Sequence, residues 1–250
     1  MIQVTDCHVS QDPAQTYRGI NPHRTLMSLM EKVRELNPDL ILATGDLSED
    51  GSRRSYRLLR EYLHLPGVPV LALPGNHDDP TLLAEAFPGS PVDSIAVSEH
   101  GPWQVIRLNS CLPGKPEGLI ANNALDDLKD LLYSQQPRPR ILAVHHHPVA
   151  TGSPWIDKYP LLEPDRLLRL INQHADIRVV LWGHVHHAFQ VQRKDTLMLG
   201  GPSSAINSLV GVERFSADPA GPSCRWLDLY HDGTVDTGVT PGSNPNAGGG

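Results

Sequence analysis

The sequence predicts an α/β fold in which a first run of βα units builds a sheet and a later run of strands completes it. Three observations carry this expectation. Short apolar runs alternate with helical patterns from Ile2 to Trp182. Beyond Phe189 the helical patterns stop, and short β-like pieces joined by turn-rich sequence take over. At 250 residues the chain is long enough to bury a substantial core in one such unit.

Ile2–Thr5 reads as the first strand. Asn21-Pro22 supplies an N-cap followed by proline at the first helical position. Leu26, Leu29, Met30, Val33 and Leu36 recur behind it at helical spacing, and Asn37-Pro38 stops the helix. Leu40–Ala43 is continuously apolar, as in a strand buried on both faces. Ser52–Leu63 is helical, with Tyr56, Leu59 and Leu63 on one stripe, and Val68–Leu73 is the next strand. Thr81–Phe87 makes a short helix and Trp103–Leu108 a strand, and Leu125, Leu128, Leu131 and Leu132 mark another helix. Ile141–Val144, a helix over Asp165–His174 and the strand Ile177–Trp182 complete the alternation. Thr196–Leu199 and a hairpin of Trp226–Tyr230 with Val235–Val239 around Asp232-Gly233 finish the sheet system. Residues 1–240 read as one domain, and from Pro241 onward Pro, Gly, Ser, Asn and Ala predict a disordered tail.

Composition narrows the function. The net charge of −7 argues against electrostatic binding of a nucleic acid polymer. No run approaches the roughly 18 apolar residues of a membrane span, and Met1 leads straight into a strand without a signal peptide. Cys7, Cys111 and Cys224 are an odd number at wide spacing, which fits a reducing, cytoplasmic setting better than a disulfide framework. Of the 13 histidines, eight fall in short clusters, and the function is to be sought there.

Five polar clusters each follow an apolar run: Asp6-Cys7-His8, Gly45-Asp46, Gly75-Asn76-His77-Asp78, His145-His146-His147-Pro148 and Gly183-His184-Val185-His186. In open α/β sheets, functional groups gather at the carboxyl ends of strands, so five such clusters can converge on one place. Carboxylates, imidazoles and amide oxygens suit borderline to hard metal ions such as iron, manganese, zinc and cobalt. The candidates are too many for one tetrahedral ion. Two ions sharing a bridging carboxylate, about 3.5–4 Å apart, would clamp a phosphoryl group and activate a hydroxide. The glycines at 45, 75 and 183 are expected to permit tight turns as the chain leaves each strand.

Together these motifs resemble the signature of the calcineurin-like metallophosphoesterases. Gly19-Ile20-Asn21, Gly45-Asp46-Leu47 with Asp50, the His145–Pro148 run and Trp155-x-Asp157 are similar to the bacterial class III 3′,5′-cyclic-AMP phosphodiesterases of the CpdA type. So are Gly183-His184-Val185-His186-His187, Pro202-Ser203-Ser204 and Arg225-Trp226-Leu227 to Asp232-Gly233, and the resemblance covers about residues 1–238. It implies a four-layer αββα sandwich with a dinuclear site at the strand carboxyl ends. Carried over residue by residue, one metal would be held by Asp6, His8, Asp46 and His186. The other would be held by Asp46, Asn76, His145 and His184, with Asp46 bridging, and iron and manganese are the ions the resemblance suggests. Asn76, His77 and His186 would face substrate, and His77 would assist the leaving group as a metal-bound hydroxide opens 3′,5′-cyclic AMP to 5′-AMP.

The implied partner is thus a small cyclic nucleotide, with no nucleic acid polymer and no membrane. The alternative is the same chemistry on another phosphoester, such as a 2′,3′-cyclic nucleotide, a glycerophosphodiester, a nucleotide or a sugar nucleotide. A metal-bound scaffold without turnover is disfavoured by the intact ligand set. His146, His147 and His187 are read as groups behind or at the rim of the site, and Asp78 as turn chemistry or as a support for His77. Trp155 is read as packing rather than as a base-stacking platform, Cys7 as core, and Arg53, Arg54, Arg57 and Arg60 as a solvated face with Glu61 nearby. Asn109 departs from the aspartate these proteins often carry there.

Overall fold

Seventeen elements follow one another in the computed structural model of the chain, which describes residues 1–242. They are β1 (Ile2–Val4), α1 (Pro22–Leu36), β2 (Ile41–Thr44), α2 (Arg53–Leu63), β3 (Val70–Leu73), α3 (Pro80–Ala86), β4 (Ile95–His100), β5 (Trp103–Leu108) and α4 (Asn122–Ser134). Then come β6 (Arg140–Ala143), α5 (Pro154–Asp157), α6 (Asp165–Gln173), β7 (Ile177–Trp182), β8 (Phe189–Arg193), β9 (Thr196–Gly200), β10 (Ser223–Leu229) and β11 (Val235–Pro241). One mixed sheet has the order β11-β10-β1-β2-β3 and the other β4-β5-β6-β7-β9-β8. The strands β1, β2 and β3 run parallel, as do β5, β6, β7 and β9.

Successive side chains of a strand face opposite sides, so each central strand feeds two cores. In β2, Ile41 and Ala43 pack with Leu26, Leu29 and Val33 of α1 and with Tyr56, Leu59 and Leu63 of α2, while Leu42 points the other way. There it meets Ile141 and Ala143 of β6 and Val179 and Leu181 of β7, in a core shared by the two sheets. The alternate residues Leu142 and Val180 pack outward with Leu125 and Leu128 of α4 and Leu167 and Leu170 of α6. Three cores between four layers make the αββα sandwich. Leu42 is fully buried between the sheets. Leu42→Ala should therefore destabilise the protein by about 2–5 kcal/mol in denaturant titration, with its outer cores intact.

The ends of α1 form as its sequence predicts. Asn21 Oδ1 accepts from Arg24 N at 3.0 Å, Pro22 occupies the first turn, and Asn37 closes the helix at φ +46°. Leu36 departs from the expected stripe and is exposed. Strands β4 and β8 were not expected. Both lie at sheet edges where none of their residues is fully buried, and β8 (Phe-Gln-Val-Gln-Arg) shows no apolar run. The stretch around Trp155 forms the single turn α5. Pro241, placed in the expected tail, instead ends β11 opposite Ser223, and Gly242 N donates to Pro222 O at 2.8 Å. The rest of that tail lies outside the described residues.

Candidate metal centre

Seven side chains singled out as ligand candidates leave five strand ends. Asp6 and His8 follow β1, Asp46 follows β2 and Asn76 follows β3, whereas His145 follows β6, and His184 and His186 follow β7. Both sheets present these ends to the same edge. One atom from each of Asp6, His8 and His186 fits within 4.8 Å, and the same holds for Asp6, Asp46 and His145. Asn76 joins them through its neighbours: Gly75 packs on Asp46, and His77 N donates to Asp46 Oδ1 at 2.9 Å.

The backbone turns sharply to achieve this. Asp6, His8, Asp46, His184 and His186 all have positive φ, from +48° to +68°. For residues other than glycine the left-handed region is sparsely populated and costs on the order of 1 kcal/mol or more each. Five such residues in one site place the strain where the chemistry is. Gly45, at φ +93°, needs glycine for its conformation. Gly75 and Gly183 do not, contrary to the expectation of tight turns. Space decides there, because a Cβ on Gly75 would collide with Asp46 and one on Gly183 with the Thr5 hydroxyl.

The hydrogen bonds fix which nitrogen of each imidazole faces inward. His8 Nδ1 donates to Glu49 Oε2 at 2.8 Å, His145 Nδ1 to Thr44 O at 2.8 Å and His186 Nδ1 to Ile206 O at 2.8 Å. His184 differs in donating Nε2–H, to Tyr159 O at 3.0 Å, which leaves its Nδ1. The remaining nitrogens are lone pairs aimed at one another and at carboxylates. His8 Nε2 lies 3.3 Å from His186 Nε2, itself 3.4 Å from Asp6 Oδ1, and His145 Nε2 lies 3.3 Å from Asp46 Oδ1. Among the described residues, buried Asn76 Oδ1 and His145 Nε2 have no hydrogen-bond partner. Acceptors converging in this way repel unless cations sit among them, so oxygen and nitrogen donors here fit divalent metal ions.

Electrostatics agree. Burial raises the pKa of Asp46, but the charges of His145 and His77 overcome it and hold the carboxyl well below its usual range. Asp6 is lowered likewise, burial being outweighed by His186. Burial would depress His145, yet Asp46 and Asp6 raise it to about 9. Without a cation, a proton therefore occupies the place of one.

Other expected residues fall as follows. The His77 side chain is 35% exposed, with Nε2 4.0 Å from Asp46 Oδ2. Asp78 accepts from the main chain of Leu47, Ser48 and Gly75 and from the Tyr56 hydroxyl, tying two loops together rather than bonding the His77 ring. Burial and Asp46 push Asp78 up to about 6. His146 comes closer than expected: an atom of it lies within 4.8 Å of His145 and His184, although its Nδ1 bonds Ser110 Oγ at 2.7 Å. His147 stacks on His184 with centroids 5.7 Å apart, and His187 Nδ1 donates to Val185 O. Trp155 is buried in the outer core with its ring perpendicular to that of His186, and Cys7 is core. Arg53, Arg54, Arg57 and Arg60 are exposed, Arg53 pairing with Glu85 rather than Glu61. Asn109 braces its own loop by donating to Val92 O and accepting from Cys111 N.

Two residues escaped the sequence reading. Tyr17 stacks on His8 with centroids 3.9 Å apart, and Glu49 meets both His8 and His77. Neither belongs to a motif, and only the fold brings them in. Beside His77 and Asn76 opens a cavity of about 730 Å³. Asp79, Asp93, Asn109 and Asn123 stand on its wall among apolar residues such as Leu112 and Leu119, and among the described residues no Lys or Arg does.

The calcineurin-like phosphoesterase family profile matches residues 1–188. The 3′,5′-cyclic adenosine monophosphate phosphodiesterase CpdA of Pseudomonas aeruginosa is 34% identical over 242 residues, 96% of this chain and 89% of that protein. A 3′,5′-cyclic-nucleotide phosphodiesterase of Nostoc sp. is 33% identical over 239 residues, 95% of this chain and 90% of that protein. Among solved structures, a dimetal phosphatase of Danio rerio shares the fold with a TM-score of 0.67 at 12% identity, over 97% of this chain and 98% of that one.

Proposed function

We infer the function from one premise: the chain belongs to the calcineurin-like phosphoesterase family. It is a cyclic-nucleotide phosphodiesterase of that family, and its substrate is 3′,5′-cyclic AMP, hydrolysed to 5′-AMP. The observation that carries the chemistry is the set of unpaired acceptors converging from both sheets. One cation would be held by Asp6, His8, Asp46 and His186, the other by Asp46, Asn76, His145 and His184, with Asp46 shared. Bound there, two divalent cations supply a polarised phosphoryl oxygen and an activated water. Iron and manganese suit this donor set, and zinc or cobalt can replace them.

The chain's own groups do the rest. Asn76 and His186 line the place of the phosphoryl group. His77, exposed beside Asp46, hands a proton to the departing 3′ oxygen. The cavity next to His77 receives the nucleoside. Its amides and carboxylates can hydrogen-bond a neutral ribose and base, while the absence of Lys and Arg disfavours a polyanionic leaving group. Among the described residues no helix is long and apolar enough to cross a membrane. We place the enzyme in the cytoplasm and read residues 1–240 as one domain acting on a small molecule.

Product analysis tests the reading. Metal-replete protein is incubated with 3′,5′-cAMP, 2′,3′-cAMP and bis(p-nitrophenyl) phosphate, beside Asn76→Ala. Conversion of 3′,5′-cAMP to 5′-AMP, lost in the variant, is expected. Cleavage of the aryl diester alone would keep the metal centre and move the substrate to another phosphodiester.

Loading must also displace the proton that Asp46 and Asp6 hold on His145, whose pKa is about 9. Manganese binding to the metal-free protein should release a proton at neutral pH. Affinity should then fall about tenfold per unit as pH drops below 9. Calorimetry in buffers of different ionisation enthalpy measures both, and affinity flat from pH 6 to pH 9 would contradict the assignment of His145.

A further inference from the structure

The loop between β1 and α1 brings an arginine to a flank of the metal centre that a cyclic nucleotide leaves free. Tyr17 N donates to Ile20 O at 2.9 Å and Ile20 N to Tyr17 O at 3.0 Å, so residues 17–20 close a two-residue turn. Both central residues have positive φ, Arg18 at +49° and Gly19 at +85°. Such turns favour Asn, Asp or Gly at both central positions, and an arginine there is strained. Strain of this kind persists only where the surroundings hold it. Here aromatic rings do. Tyr17 stacks on His8 with centroids 3.9 Å apart, and Phe215 stands perpendicular to Trp155 and to His186. The Arg18 guanidinium carbon lies 4.1 Å from the Phe215 centroid and 5.4 Å from that of Tyr17, and Arg18 Nε donates to the Tyr17 hydroxyl at 3.1 Å.

An arginine stacked on aromatic rings keeps its planar fork preorganised, and the fork matches a phosphate. Arg18 is exposed, and among the described residues its two terminal nitrogens have no acceptor. None of Tyr17, Arg18 and Phe215 lines the cavity beside His77, whose wall bears Asp79 and Asp93. The metal centre thus has one acidic flank and one basic, aromatic flank. A cyclic nucleotide closes both ester bonds on one ribose, whereas a linear phosphodiester has two separate arms. We propose that Tyr17, Arg18 and Phe215 form an anion subsite for the retained arm of a linear phosphodiester whose neutral arm leaves through the cavity. The substrate class is a dinucleotide with a terminal phosphate on the nucleotide that keeps the scissile phosphoryl group. Water adds to phosphorus, the bond to the 3′ oxygen of the neutral nucleoside breaks, and His77 supplies the proton to that oxygen. The retained arm departs as a nucleoside 3′,5′-bisphosphate. The inference rests on the metallophosphoesterase reading above and extends it to linear diesters of one polarity.

Three diadenylates test this: one with a 3′-phosphate on the retained nucleotide, one with no terminal phosphate, and one with a 5′-phosphate on the leaving nucleotide. Each is incubated with the manganese-loaded natural chain and with Arg18→Ala, Arg18→Glu and Arg18→Lys, once melting curves confirm that the variants fold. In the natural chain kcat/KM should be about tenfold to a hundredfold higher on the 3′-phosphorylated than on the unphosphorylated substrate, mainly through KM. The 5′-phosphorylated substrate, whose anion would face Asp79 and Asp93, should be the poorest. Arg18→Ala should abolish the first preference and Arg18→Glu should invert it. Arg18→Lys, which keeps the charge but loses the fork, should restore part of it. No cleavage of any diadenylate, no preference in the natural chain, or a preference unchanged in Arg18→Ala would overturn the subsite. Bis(p-nitrophenyl) phosphate, which has no anion-bearing arm, reports the metal centre separately. If the natural chain cleaves the diadenylates but leaves 3′,5′-cAMP intact, the cyclic-nucleotide reading fails on its own, and the preference ratio still decides the proposal.

Discussion

Asp46→Asn is expected to leave a folded protein that has lost its second metal ion and nearly all its activity. The substitution keeps the shape of the side chain but removes its charge and turns one oxygen into an NH₂ donor. In the native site both oxygens face into the cluster of candidate ligands. Oδ1 accepts from His77 N at 2.9 Å and lies 3.3 Å from His145 Nε2, and Oδ2 lies 4.0 Å from His77 Nε2. Asp46 is also the one residue common to both proposed ligand sets, so its loss touches both ions at once. Removing a preorganised charge from a dry site costs more than deleting a surface ion pair, since the field there is little screened. We expect kcat on 3′,5′-cAMP to drop by at least about 10³-fold, with fewer than two manganese ions retained per chain. Metal analysis after gel filtration and initial rates measure both. Two retained ions with kcat within tenfold of the natural chain would show that Asp46 is not the shared ligand.

His77→Ala should behave differently, and the difference separates the roles. His77 is absent from both ligand sets, so metal content should stay at two. A general acid contributes about 10²–10⁴-fold where the leaving oxygen is a poor leaving group. The 3′ alkoxide is poor, and p-nitrophenolate is stable as its anion. The loss should therefore be about 10²-fold or more on 3′,5′-cAMP and under about tenfold on bis(p-nitrophenyl) phosphate. A uniform loss on both substrates would make His77 a phosphoryl-binding group instead, and a loss of metal would make it a ligand.

Much of this molecule is legible in its sequence, for identifiable reasons. Strands buried between layers carry apolar runs, Leu40–Ala43 at β2 and Val179–Trp182 in β7, and helices α1 and α2 carry a one-sided stripe with capping residues at their N-terminal ends. The edge strands β4 and β8 carry neither signal, because their outer faces meet water and their order comes from a neighbour's backbone. The metal candidates are legible because each motif follows directly on a strand. Glu49 is not, since its importance lies in a meeting with His8, far away in sequence, that only the β1–β2 pairing creates. The left-handed turns at Asp6, His8, Asp46, His184 and His186 are equally silent, because residues other than glycine give no local warning of positive φ. At Gly75 and Gly183 the need for glycine is legible, but its cause is crowding rather than conformation. Their signal is the same whether conformation or crowding demands glycine, and the crowding comes from other loops.

The two sheets contribute unequally to the site, and each proposed ion takes ligands from both. Asp6, His8, Asp46 and Asn76 leave one sheet, and His145, His184 and His186 leave the other. An ion seated there is a rivet through the shared core, and it strengthens the folded state by mass action, about 2.7 kcal/mol at a hundredfold excess over Kd. The riveted and the bare protein then differ in lifetime as well as in activity. A cell short of transition metals would hold fewer copies of this enzyme, because the bare form opens more often and proteases clear what opens. The amount of folded enzyme would thus follow the metal supply through protein turnover.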